Sequence, residues 1–60
     1  MNQKKARVLI VDDDKIICAI LASLMKKEGF EPLVAYDGEK ALKMVQSDSP
    51  DLLLVDMMLP

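Results

Sequence analysis

Two short apolar runs each stop on aspartate: Val8-Leu9-Ile10-Val11 leads into Asp12-Asp13-Asp14, and Leu52-Leu53-Leu54-Val55 leads into Asp56. Four apolar residues in a row, with no polar alternation, suit a parallel strand buried on both faces, because helices cover both sides of such a sheet. Ligands of parallel sheets bind outside the carboxyl ends of the strands, which is where both acidic groups fall.

The segments between the runs decide how they are arranged. Arg7 to Val11 forms the first strand. A helix follows with Asp14 as its N-cap, since Ile16, Ile17, Ile20, Leu21 and Leu24 recur at helical spacing. Lys26 and Lys27 favour the negative end of its dipole, and Gly29 supplies the stop. Residues 30–36 read as a second strand in which Pro32 cannot donate to a ladder, so this strand belongs at a sheet edge. Asp37-Gly38 is a turn, residues 39–46 are helical in period, and Ser47-Asp48-Ser49-Pro50 breaks that helix before the third strand. The β-α-β-α-β order calls for a parallel sheet with right-handed crossovers. With the second strand at an edge, the strand order is 2-1-3 and the helices cover opposite faces. The crevice between the ends of strands one and three is then the point where the chain reverses direction, and Asp12, Asp13 and Asp56 converge on it.

Carboxylates gathered in one crevice repel unless a cation compensates. Mg²⁺ matches: it is a hard ion held by one or two carboxylates plus waters, with positions left for phosphate oxygens. The chain has no histidine and one cysteine, which excludes a zinc site of the usual ligands. Taken singly, Asp13 and Asp14 also suit a solvated helix cap, and Asp56 a turn; the two clusters together carry the metal reading. Lys15 reads as a solvated helix-start residue rather than a phosphate ligand. A net charge of −2 gives no basic surface for nucleic acid or anionic lipid. Cys18, among isoleucine and leucine, reads as a small buried thiol, in keeping with a reducing cytoplasmic setting. The longest apolar stretch, residues 16–24, falls short of the roughly 20 residues needed to span a bilayer, and the helix it forms has one flank left to cover.

Three ordered motifs, Val8-Leu9-Ile10-Val11-Asp12-Asp13-Asp14, Ala35-Tyr36-Asp37-Gly38-Glu39-Lys40-Ala41-Leu42, and Pro50-Asp51-Leu52-Leu53-Leu54-Val55-Asp56-Met57-Met58-Leu59-Pro60, together resemble the CheY-like receiver domain of bacterial two-component response regulators. The resemblance covers essentially all 60 residues as the N-terminal half of such a domain. It implies a flavodoxin-like, doubly wound α/β fold. It also implies that Asp56 is the phosphoacceptor in a phosphorelay, and that Asp12, Asp13, Asp56 and the backbone carbonyl of Met58 hold Mg²⁺. The donor would be a histidine kinase or phosphotransfer protein, and the chain a receiver promoting its own phosphorylation rather than a stand-alone turnover enzyme. Receivers continue with two more strand-helix units bearing a Ser/Thr, an aromatic switch residue and a lysine. Lys4, Lys5 and Lys15 do not match that lysine, so efficient phosphorylation and switching are not expected of these residues alone. Met57 and Met58 either shape access to Asp56 or simply pack.

Two other readings compete. Asp12-Asp13-Asp14 imitates the strand-one Asp-x-Asp of haloacid-dehalogenase-like phosphatases, with Asp12 as nucleophile and Asp14 as acid; Ile16 and the immediate start of the helix weigh against it. The other is a self-assembling fragment without signalling activity. The apolar strand Leu52 to Val55, if its outer edge is unpaired, is expected to pair with a second copy and give a homodimer or larger assembly.

Overall fold

Strand and helix alternate as the pattern of apolar residues requires. The computed structural model describes residues 5–55. Within them run β1 (Arg7–Val11), α1 (Lys15–Lys27), β2 (Glu31–Ala35), α2 (Gly38–Asp48) and β3 (Leu52–Val55). The sheet is wholly parallel in the order β2-β1-β3, with Leu9 opposite Leu33 on one side and Leu53 on the other. Pro32 pairs with Val8 on the edge strand, where its missing N–H is harmless. The half doubly wound, flavodoxin-like arrangement expected from the sequence is the one present.

Each helix begins on an aspartate and ends in a left-handed turn or beside one. The Asp14 carboxylate accepts from the amides of Ile16 and Ile17 (2.9 and 3.3 Å), and the Asp37 carboxylate accepts from the Lys40 amide (2.7 Å), so two free first-turn N–H groups of α1 and one of α2 are satisfied. Helix α1 closes when the amide of Gly29 donates to Lys26 O and that of Phe30 to Met25 O, with Gly29 at φ 96°. Phe30 is thereby drawn out of the second strand, which is shorter than residues 30–36. Helix α2 runs further than residues 39–46. Its cap draws in Gly38, and Ser47, a breaker by composition, stays helical with its Oγ donating to Lys43 O at 3.0 Å. The helix stops at Ser49, which adopts φ 48°.

Alternation along β1 divides the core between two faces. Leu9 and Val11 cluster with Ala35 and Ala41, backed by Leu33 and Met44, on the α2 side. Val8 and Ile10 therefore point to the other face, where α1 lies over β1 and β2. The inward stripe of α1 is Cys18, Leu21, Ala22 and Met25, spaced for one helical face, whereas Ile16, Ile20 and Leu24 face outward. The flank left open in the sequence reading is this outward one.

The two apolar runs do not share one environment. All of β1 from Val8 to Val11 is buried, while every residue of β3 is at least 38% exposed. Both helices pack on β1 and β2; although the second crossover runs from β2 to β3, Ala41, Leu42 and Val45 of α2 face Leu53 and Val55 across an open hollow and leave β3 uncovered among the described residues. What holds β3 in register, besides its ladder, is a clasp at the amino end of the sheet. The Arg7 amide donates to Asp51 Oδ2 (2.8 Å), the Asp51 amide to Arg7 O (2.8 Å), and the Arg7 guanidinium to Asp48 O (2.6 Å).

Candidate functional site

Asp12 is the first residue past β1, the central strand, and it is 1% exposed. Its amide donates to the Ala35 carbonyl at the end of β2 (3.1 Å). Its Oδ1 accepts from the Asp14 amide (2.9 Å) and its carbonyl accepts from Cys18 Sγ (3.2 Å). Only Oδ2 is left, buried and without a hydrogen-bond partner among the described residues. A buried carboxylate oxygen with no donor is costly, on the order of 1–3 kcal/mol or more for a charged group, so it persists where something else is to meet it.

The neighbours divide the remaining roles. Asp13 is exposed beside Asp12, with its carboxylate free of hydrogen bonds to the described residues. Asp14 is occupied by its capping bonds. The Lys15 ammonium lies over the Tyr36 ring, 5.4 Å from its centre, a cation–π contact at the end of β2 that accounts for this lysine without a phosphate. Burial first, and the Asp12 charge next, push the Cys18 thiol above its ordinary range, so it stays protonated and able to donate.

The β1–β3 ladder ends by pairing Val11 with Val55, the residues that precede Asp12 and Asp56 in the chain. Asp56 and Met58 lie outside the described residues, as does Met57. Among the described residues no three histidine, cysteine, aspartate or glutamate side chains gather as a metal cluster; Asp12 and Asp13 are the two that stand together. Their donor set is all oxygen, one atom is buried and orphaned, and both sit at the carboxyl end of a parallel strand, which fits Mg²⁺ in preference to a softer ion. The Cys18 and Asp14 contacts to Asp12 are not evident from residue spacing. The one available signal is that residues 12, 14 and 18 straddle a strand-to-helix junction, where a capping aspartate turns its own amide back toward the strand end. A separate hollow of about 380 Å³ at the amino end of the sheet is lined by Lys5, Arg7, Asp48 and Asp51, and its polar groups largely bind one another in the clasp.

No helix among the described residues is long and apolar enough to cross a membrane. The response regulator receiver domain model matches residues 8–60. Among curated proteins, the transcriptional regulatory protein CpxR of Klebsiella pneumoniae subsp. pneumoniae (strain HS11286) is 50% identical over 54 residues, covering 90% of this chain and 23% of that protein. The proteins of the same name from Escherichia coli (strain K12) and Shigella flexneri are each 48% identical over 54 residues, with the same coverage. The chain thus spans 23% of the length of these relatives.

Proposed function

The chain belongs to the response regulator receiver domain family, and on that premise we propose that it takes a phosphoryl group from a histidine kinase or phosphotransfer protein onto Asp56, with Mg²⁺ held by Asp12, Asp13, Asp56 and the Met58 carbonyl. The observation that carries the proposal is the buried Oδ2 of Asp12 at the end of the central strand, which has no partner among the described residues. A Mg²⁺ bound there supplies charge neutralisation for phosphoryl oxygens. The chain's own residues do the rest. Asp12 and Asp13 present oxygen ligands from a rigid strand end, and an Asp56 carboxylate oxygen attacks the phosphorus of a phosphohistidine in line. The new P–O bond forms as the P–N bond breaks, and the imidazole takes up a proton as it leaves.

The partners in this reading are the phosphodonor and, through the exposed β3, a second copy of the chain. Its setting is the cytoplasm, in keeping with a single buried free thiol. Kinship with proteins named as transcriptional regulators supports a place in the control of transcription. The phosphatase reading is disfavoured because Asp14, its required acid, accepts two helix amides at 2.9 and 3.3 Å. The test is incubation with acetyl phosphate and Mg²⁺ followed by intact-mass measurement. An adduct of phosphoryl mass, stable to acid and labile to base, is expected slowly on the wild-type chain and not on Asp56→Ala. The same adduct accumulating at the same rate on Asp56→Ala refutes the assignment.

A further inference from the structure

Asp12 has four polar atoms, and three of them are held from three directions: the amide by β2, Oδ1 by the Asp14 amide, and the carbonyl by Cys18 on α1. The Cys18 contact is the one that ties the strand end to the body of the helix. Its partner carbonyl belongs to the peptide plane joining Asp12 to Asp13, so holding it sets the start of Asp13 as well as the carboxylate direction of Asp12. Both groups are 1% exposed, and solvent is therefore not available to replace the thiol as donor.

We infer that Cys18 is a positioning residue for the cation site: its Sγ–H, donated to the Asp12 carbonyl, fixes the Asp12–Asp13 peptide so that the orphaned Oδ2 and the Asp13 carboxylate face the ion together. The inference rests on the Mg²⁺ reading above. It differs from simple packing of a small buried thiol, because packing is served by any side chain of similar size whereas positioning needs a proton to donate.

Calorimetric Mg²⁺ titration and urea unfolding of the whole chain separate the two. Cys18→Ala should weaken Mg²⁺ binding by about tenfold, the low end of losses for residues that orient a metal ligand, because a thiol is a weak donor. Cys18→Ser, whose hydroxyl donates to the same carbonyl, should recover most of that affinity even if its stability falls. Equal affinity in all three chains, or serine binding as weakly as alanine, overturns the inference and leaves the cation reading intact. A wild-type chain that takes up no Mg²⁺ overturns both. The unmodified protein gives a second readout that needs no variant to fold, since it has a single cysteine. Mg²⁺ should shift the S–H stretching band of that thiol in the infrared, and a band that does not move while calorimetry records binding overturns the inference.

Discussion

Replacing Asp12 by asparagine should change the sign of its effect on stability with Mg²⁺. The asparagine amide oxygen keeps the bond from the Asp14 amide, which is 2.9 Å long to Oδ1 in the wild type. What disappears is a negative charge on a residue 1% exposed, whose second oxygen has no donor among the described residues. An unsatisfied buried group costs about 1–3 kcal/mol, and the amide NH₂ left in its place retains part of that penalty, so the variant should gain about 1–2 kcal/mol in the absence of a cation. The wild type instead gains stability by linkage, about 2.7 kcal/mol when Mg²⁺ is at 100 times its Kd. In EDTA the asparagine chain is then the more stable, and at saturating Mg²⁺ the order inverts by about 1 kcal/mol. Urea unfolding followed by circular dichroism resolves this, because with a slope of about 1 kcal/mol per molar the midpoints differ by about 1–2 M in EDTA. An asparagine chain less stable than wild type in EDTA, or a wild-type midpoint indifferent to Mg²⁺, would refute the reasoning that Oδ2 is held open for a cation.

Gly29→Ala should cost about 1–2 kcal/mol in urea unfolding, since Gly29 closes α1 at φ 96° with space around it but in a backbone region hostile to a Cβ; an unchanged midpoint would contradict this. Arg7→Lys should lower the melting temperature by roughly 4–8 °C, the effect of about 1 kcal/mol on a domain this small, because an ammonium cannot reproduce the guanidinium's contacts to Asp48. Its Mg²⁺ affinity should be unaffected, as the clasp lies at the opposite end of the sheet. The Cys18 thiol titrates above its ordinary value of 9.0 in the folded chain, so the unfolded chain loses its proton first. The stability due to it is whole below that pH and falls as pH rises through the folded value; Cys18→Ala should flatten this alkaline limb, and a limb of unchanged slope would exclude the thiol as its source. Leu53 is 57% exposed on β3; sedimentation should show self-association that Leu53→Lys abolishes, and a monomeric wild type at low micromolar concentration would dismiss β3 as the contact.

The sequence by itself determined the elements, their order and the strand neighbours. Asp14 marked the start of α1 because a short carboxylate is the group that meets free helix amides, whereas Asp37, legible only as a turn residue, was shown to cap α2 by the structure. Pro32 placed β2 at an edge because it has no N–H to give. Handedness of the crossovers then left one strand order, and Asp12 was found because it follows the apolar run that this order makes central. Tertiary structure decided what local pattern cannot encode. Val8 to Val11 and Leu52 to Val55 are alike as strings, yet one run is buried and the other open, because burial depends on where two helices land and both land on the β1–β2 pair. The inward stripe of α1 was equally undecided, since a helix apolar on most of its circumference has no polar face to name the other. The bonds from Cys18 and Asp14 to Asp12 depend on how α1 leaves the strand end, a matter of angles at one junction. Composition records which groups are present, while the separation of an Sγ from a carbonyl is set only when helix and sheet have packed.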